Sequence, residues 1–204
     1  MKSYPSIPKD INPNINILAF DKIDGSLLRS TWNKKRGFYK FGSKNCLIDE
    51  SVSPLGEAIS LIKNKYENDI SKICIENKWE EATCFFEFYG PNSFAGRHEK
   101  ENHAVTLFDV SPYKVGILNP HEFLKYFGHL ETPHVLYLGK ITEEFINSVK
   151  DLTLPGISFE GVVCKGANDK KTKMPFMFKI KTKAWLNKLK TYCKDDISLF
   201  ETLS

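Results

Sequence analysis

Phe20-Asp21-Lys22-Ile23-Asp24-Gly25-Ser26 closes the apolar run that begins at Ile15. That run reads as a short buried strand over Ile15–Lys22, ended by a lysine, an acid two residues later and a glycine. Taken alone, Lys-x-Asp-Gly is no more than a charged hairpin corner. Its meaning depends on what stands on either side.

Before it, residues 1–14 carry three prolines and several polar residues and read as an extended lead-in. After it, Ser26–Trp32 and Gly37–Phe41 read as strands joined by the basic turn Asn33-Lys34-Lys35-Arg36. Ser53 as N-cap and Pro54 at the first helical position predict a helix. Its apolar stripe, Leu55, Ile59, Ile62, Tyr66, Ile70 and Ile73, is core packing. Strands are expected over Ala82–Tyr89 and Ala104–Val110, with a loop over residues 90–98 between them. A short helix near His121–Phe127, a strand near His134–Leu138 and a helix over Glu143–Lys150 come next. Strands Ile157–Lys165 and Pro175–Lys181 then precede an amphipathic helix over Ala184–Tyr192. No internal repeat or linker interrupts this order. Adjacent strands of this number indicate an α+β fold rather than a doubly wound parallel sheet.

With 204 residues and 41% hydrophobic content, the chain buries one good core, and a single domain over 1–204 is expected. No apolar run approaches the roughly 20 residues of a membrane helix, and the N-terminus lacks the apolar stretch of a secretory signal. A cytoplasmic protein with no membrane partner is expected. The five cysteines are odd in number, never spaced C-x-x-C, and four sit beside apolar residues. They read as buried reduced thiols rather than disulfides or zinc ligands. The net charge of +4 is unevenly spread, with ten lysines and one acid between Lys165 and Lys194. Such a stretch attracts polyphosphate or a nucleic-acid backbone.

Four further stretches carry charge where a strand is otherwise apolar. In Phe159-Glu160-Gly161-Val162-Val163-Cys164-Lys165 an acid opens a buried strand, beside a glycine that permits close approach. In Met177-Phe178-Lys179-Ile180-Lys181, strand alternation turns Phe178 and Ile180 inward and puts both lysines on the other face. Two lysines there repel each other unless an anion lies between them. In Phe85-Phe86-Glu87-Phe88-Tyr89-Gly90 one acid interrupts an aromatic strand, and a buried unpaired carboxylate is costly. Thr106-Leu107-Phe108-Asp109-Val110 places a phenylalanine in a fourth strand.

In this order and at these separations, the motifs resemble those of the covalent nucleotidyltransferases, the superfamily of ATP-dependent DNA ligases, RNA ligases and mRNA capping enzymes. The resemblance runs from about Tyr4 to Trp185 and is greatest to the RNA ligases that seal nicks in duplex RNA. It implies the ATP-grasp-like adenylyltransferase domain of DNA and RNA ligases, antiparallel sheets flanked by helices with ATP between them. It also implies that Lys22 attacks the α-phosphate of ATP and carries AMP as a phosphoramide. Lys179 and Lys181 would then stabilise charge on the phosphate, and Glu160 would hold Mg2+ or Mn2+. Glu87 would bind the ribose, Phe108 would stack on the base, and Phe20, Asp21 and Ile23 would line the nucleotide beside Lys22. Asp24, on the same strand face as Lys22 if the strand persists, would orient the lysine or a metal-bound water.

Phe41-Gly42-Ser43-Lys44-Asn45 stands where family members place a basic residue near the nucleotide. Most carry Arg there, and this chain has Lys44, which lacks Arg's fork. Arg29 and Lys40 are rivals for that task. Arg97 and His98, in a loop similar to one of bacterial and phage RNA-ligase-like proteins, are candidate phosphate contacts. A nucleophilic lysine must be neutral, against an ordinary pKa of about 10.4, so cationic neighbours and partial burial are expected to lower Lys22.

Only a helix and tail, about residues 182–204, are expected after the paired lysines, with no appended OB barrel. RNA ends or nicks would then be gripped by the domain's own surface or by a separate protein or domain. The competing readings are a minimal ATP-dependent DNA ligase, a capping-type guanylyltransferase, and a non-catalytic RNA-end-binding module.

Overall fold

The computed structural model describes residues 1–9, 15–91, 93, 100–169, 175–194 and 196–204. Among these described residues, nine strands form two antiparallel sheets. The first has the order β7-β1-β8-β9, from β7 (Val135–Lys140), β1 (Asn16–Asp21), β8 (Gly161–Lys165) and β9 (Met177–Lys181). The second has the order β4-β3-β2-β5-β6, from β4 (Leu47–Ile48), β3 (Gly37–Ser43), β2 (Ser26–Asn33), β5 (Glu81–Tyr89) and β6 (Ala104–Pro112). The helices among the described residues are α1 (Glu57–Glu76), α2 (Pro120–Phe127), α3 (Glu143–Lys150), α4 (Lys183–Cys193) and α5 (Ile197–Leu203).

Strand alternation divides the side chains into outer cores and an inner cleft. One face of the second sheet (Leu28, Trp32, Phe38, Ala82, Cys84, Phe86, Phe88, Val105, Leu107) packs on the α1 stripe of Ile59, Ile62, Tyr66, Ile70 and Ile73. One face of the first sheet (Ile17, Ala19, Val162, Cys164, Phe178, Ile180) packs on Phe145 and Val149 of α3. A third cluster seats α4 through Trp185, Leu189 and Cys193 against Phe159 and Phe200. The opposite sheet faces meet between these layers, where Lys165 of β8 reaches Asp109 of β6 at 2.7 Å. The cleft between the sheets therefore receives the alternate residues that sequence periodicity excludes from the cores.

Several boundaries differ from the sequence reading. The long helix begins at Glu57, with Gly56 as N-cap and no side-chain cap, not at Ser53-Pro54. Residues 52–56 instead form turns, with Gly56 N–H donating to Val52 O and Glu57 N–H to Pro54 O. Gly56 is wedged there, since a Cβ would lie 2.6 Å from Glu50 O and 2.8 Å from Asp49 O. Strand β8 starts at Gly161, four residues later than expected. Residues 157–160 are held by other partners: Asp21 Oδ1 accepts from Ser158 N–H, and Glu160 O accepts from Thr182 N–H. Strand β1 ends at Asp21, before the lysine. The short strand β4 and helix α5 are elements the sequence reading did not anticipate. All five cysteines are free, Cys46 exposed and the other four buried. No helix among the described residues is long and apolar enough to cross a membrane.

Candidate active site

Lys22 leaves the end of β1 still tied to the sheet, its N–H donating to Gly161 O at 2.9 Å. Its Nζ donates to Glu160 Oε2 at 2.8 Å, and Lys181 Nζ lies 2.9 Å from Glu160 Oε1. One carboxylate, 5% exposed, thus bridges the lysine of the Lys-x-Asp-Gly stretch and the second lysine of β9. Three separate stretches of chain converge on it. Gly161 makes this possible: with φ +143°, its absent Cβ would stand 2.0 Å from Ile180 O and 2.9 Å from Lys181 Cα. The close approach that this glycine permits is by β9 itself.

Phe178 and Ile180 are buried on the α3 side, and Lys179 and Lys181 share the opposite face, as alternation predicts. Lys181 Nζ sits 3.4 Å from the centroid of the Trp185 ring, one helical turn further on. The same indole donates from Nε1 to Asp24 Oδ1 at 3.1 Å. Asp24 therefore does not share a strand face with Lys22; it is buried in the turn after the strand and faces α4. The turn is compact because Gly25 passes Phe88, where a Cβ would lie 2.4 Å from Phe88 O.

The electrostatics of Lys22 run opposite to the sequence expectation. Burial lowers its pKa, but Glu160, Glu87 and Asp24 together outweigh burial and raise it to about 12. Three acids from three elements act on one ammonium. Lys181 goes the other way, pushed down to about 8 by burial and by Lys22 and Lys179, with Glu160 opposing. Lys179 is lowered by burial and by Lys22, Lys9 and Lys44. Glu160 is held below its ordinary value, because Lys22 and Lys181 outweigh its burial. Glu87 rises to about 8, chiefly through burial and against the pull of Lys22, and accepts from Gly25 N–H. At neutral pH it is a neutral acid, able both to donate and to accept.

The remaining predicted positions fall around this centre. Phe108 lies at a β-bulge: Phe85 pairs with Asp109 and Phe86 with Leu107, so no β5 residue opposes it. Bulges re-aim side chains, and the Phe108 ring faces the cleft beside Phe85 at 6.4 Å. Phe20 is buried on the opposing sheet, with Lys165 Nζ 5.1 Å from its ring centroid. Asp21 directs its carboxylate at Ser158, accepting from N–H and Oγ at 3.0 and 3.1 Å. Ile23 is half-buried in the turn after Lys22.

Lys44 is exposed in the β3–β4 connection, within electrostatic reach of Lys179. Arg29 is engaged elsewhere, donating to Ser43 O at 2.8 Å and Ser3 Oγ at 2.9 Å. Lys40 is half-buried on β3. Arg97, His98 and the lysines 170, 171 and 173 lie outside the described residues.

Sequence reasoning missed Trp185, which touches both Lys181 and Asp24, and the buried pair Lys165–Asp109. Trp185 had a signal: an indole one turn after the paired lysines needs a partner for its N–H. The pair had none, because 55 intervening residues separate Asp109 from Lys165 in sequence.

Among the described residues, no group of three or more His, Cys, Asp or Glu is placed to hold a metal ion. The carboxylates present beside Lys22, Glu160 and Asp24, are of the kind and number that Mg2+ or Mn2+ take, their shell being completed by water and phosphate oxygens.

No protein-family model matches the chain, and no curated protein sequence does. Solved structures do match. A variant of Naegleria gruberi RNA ligase with ATP and Mn superposes with a TM-score of 0.63 at 18% identity, covering 87% of this chain and 52% of that one. An apo variant of the same ligase gives 0.63 at 14% identity, covering 91% and 59%. The ligase with pyrophosphate gives 0.61 at 18%, covering 87% and 52%.

The fold is that of an RNA-ligase nucleotidyltransferase domain. The chain spans little more than half the length of the solved ligases it matches. Within that fold, Lys22, Glu160, Lys179 and Lys181 cluster between the two sheets, with Glu87 acting on Lys22 from the second sheet.

Proposed function

We propose that this chain is the nucleotidyltransferase domain of an ATP-dependent RNA ligase working through a lysyl-AMP intermediate. The observation that carries the reading is the Lys22–Glu160–Lys181 bridge at 2.8 and 2.9 Å, set in the cleft between the sheets. In the first step the neutral Lys22 amine attacks the α-phosphorus of ATP. A P–N bond forms, the bond to the bridging oxygen breaks, and pyrophosphate leaves. AMP then passes to a 5′-phosphate end, and a 3′-hydroxyl displaces AMP to close the phosphodiester.

Lys181 and Lys179 stabilise the negative charge that builds on the α-phosphate, an electrostatic contribution made by preorganised cations. Neutral Glu87 hydrogen-bonds the ribose, and Phe108 stacks on the base from its bulge. Lys44 and the other lysines near Lys179 meet the outer phosphates. Asp24, fixed by Trp185, belongs to the acidic surroundings of Lys22 and is the second candidate metal carboxylate. Glu160 is the first. A divalent cation there would neutralise phosphate charge and offset the carboxylate that keeps Lys22 protonated. RNA ends or nicks are the polynucleotide substrate, and a separate domain or protein would extend the grip on them.

The test uses nicked duplex RNA with a 5′-phosphate, ATP, and Mg2+ or Mn2+, in parallel with nicked DNA. Sealing of RNA by the wild type and none by Lys22→Ala is expected. Preferential sealing of DNA would move the reading to a DNA ligase, and use of GTP alone to capping chemistry. RNA-end binding without any sealing, unchanged in Lys22→Ala, would make the domain a binding module.

A further inference from the structure

The N-terminal segment does not lie away from the site. Tyr4 enters the cleft between the sheets and touches both. Its Oη donates to Asp109 Oδ2 at 2.5 Å, and Met177 Sδ of β9 lies 3.5 Å from that hydroxyl. Its ring meets Phe108 edge-on, centroids 5.1 Å apart at 89°, and Phe85 at 4.9 Å and 63°. The segment is anchored on either side of Tyr4. Arg29 donates to Ser3 Oγ at 2.9 Å and Lys2 to Ser111 Oγ at 2.9 Å. Further along, Lys179 N–H donates to Pro8 O at 3.0 Å, so the segment also covers the open edge of β9.

These contacts converge on the residue at the bulge. Phe108 has no cross-strand partner on β5, so the ladder does not fix its ring; its neighbours do. Its carbonyl is held by Lys165 Nζ at 3.1 Å, and the same ammonium pairs with Asp109 at 2.7 Å. Asp109 Oδ2 thus takes both Lys165 and Tyr4, while Oδ1 is buried with no hydrogen-bond partner among the described residues. The carboxylate's orientation rests on two donors, and one of them is Tyr4.

We infer that Tyr4 is a positioning residue for the nucleotide base: it sets the plane of the Phe108 ring directly, and steadies Asp109 and Lys165 behind it. This rests on the nucleotidyltransferase reading above. It places one wall of the base pocket on the N-terminal segment, ahead of the Lys-x-Asp-Gly lysine in sequence. At the phosphate end, Lys22 and Lys181 are held by Glu160, and Lys181 also by the Trp185 ring.

Calorimetric titration in chelator, which halts turnover, tests this with ATP, AMP and pyrophosphate on the wild type, Tyr4→Phe and Tyr4→Ala. An edge-on aromatic pair makes up to about a ten-fold difference in affinity. Tyr4→Ala is expected to weaken AMP by about that factor and to leave pyrophosphate unchanged. Tyr4→Phe keeps the ring and is expected to retain most of the AMP affinity. In self-adenylylation, Tyr4→Ala should raise KM for ATP with kcat little altered.

Unchanged AMP affinity in Tyr4→Ala would overturn the inference. So would a parallel loss of AMP and pyrophosphate with a lowered melting temperature, the signature of a purely structural role. Failure of the wild type to bind ATP or AMP would overturn the nucleotidyltransferase reading itself, and this inference with it.

Discussion

At the scale of single residues, the Lys22–Glu160 contact decides how the site is charged. Glu160 foremost, with Glu87 and Asp24, raises Lys22 to about 12, and the proposed reaction needs the neutral amine. Replacing Glu160 by Gln removes the nearest negative charge, so the Lys22 pKa should fall by about one pH unit or more. Titration of 13C-methylated lysines by NMR would read this directly; an unmoved Lys22 resonance would refute the assignment.

Glu87 gives a second test. Its folded value of about 8 lies above the ordinary 4.5, so the folded chain keeps a proton that the unfolded chain releases between those values. Stability should fall as pH rises through that window and level off above it. Urea melts across pH 5–9 should show this slope in the wild type and a flatter profile in Glu87→Gln.

Residue identities in this site were legible in sequence, because an acid or lysine in an apolar strand needs a reason. The direction of the Lys22 shift was not. Alternation shows that Lys179 and Lys181 share a face, yet it cannot show that acids from the second sheet, the loop before β8 and the turn after β1 meet at Lys22.

At the scale of elements, β8, β9 and α4 act as one unit. Gly161 allows β9 to close on β8, and Gly161→Ala would put a methyl group 2.0 Å from Ile180 O at a φ of +143°. Overpacking of a core together with backbone strain makes a loss of about 3 kcal/mol the expected outcome in denaturant melts.

Thr182, fully buried, couples the strand to the helix: Oγ1 donates to Phe159 O at 2.7 Å and accepts from Trp185 N–H at 3.0 Å. Thr182→Val removes both hydrogen bonds, and a cost of about 1–2 kcal/mol is expected by the same measurement. Helix periodicity and strand alternation made these elements readable, to within a residue at α3 and α4. The starts of α1 and β8 were not, because tertiary partners at Gly56, Ser158 and Glu160 override local signals there. Strand β4, two residues long, carries no pattern to detect.

At the scale of the whole molecule, two sheets from alternating parts of the chain close over one cleft. The α+β class followed from the crowd of adjacent strands, but the order β7-β1-β8-β9 did not, since it pairs strands more than a hundred residues apart. Motif order, which periodicity lacks, groups Lys22, Glu160 and the β9 lysines as one candidate site, and in the structure Glu160 contacts Lys22 and Lys181. The net positive charge and the lysines near the C-terminus predict that RNA-end binding weakens steeply with added salt. A flat salt dependence in a filter-binding assay would detach the nucleic-acid interface from these lysines.

The central claim is that Lys22 carries the nucleotide covalently. Incubating the protein with α-labelled ATP and Mg2+ or Mn2+, denaturing it and mapping the label by peptide mass spectrometry tests this most directly. Acid-labile AMP on the peptide containing Lys22, and none on Lys22→Ala, is the expected result. Label elsewhere, or none on folded wild-type protein, would contradict it.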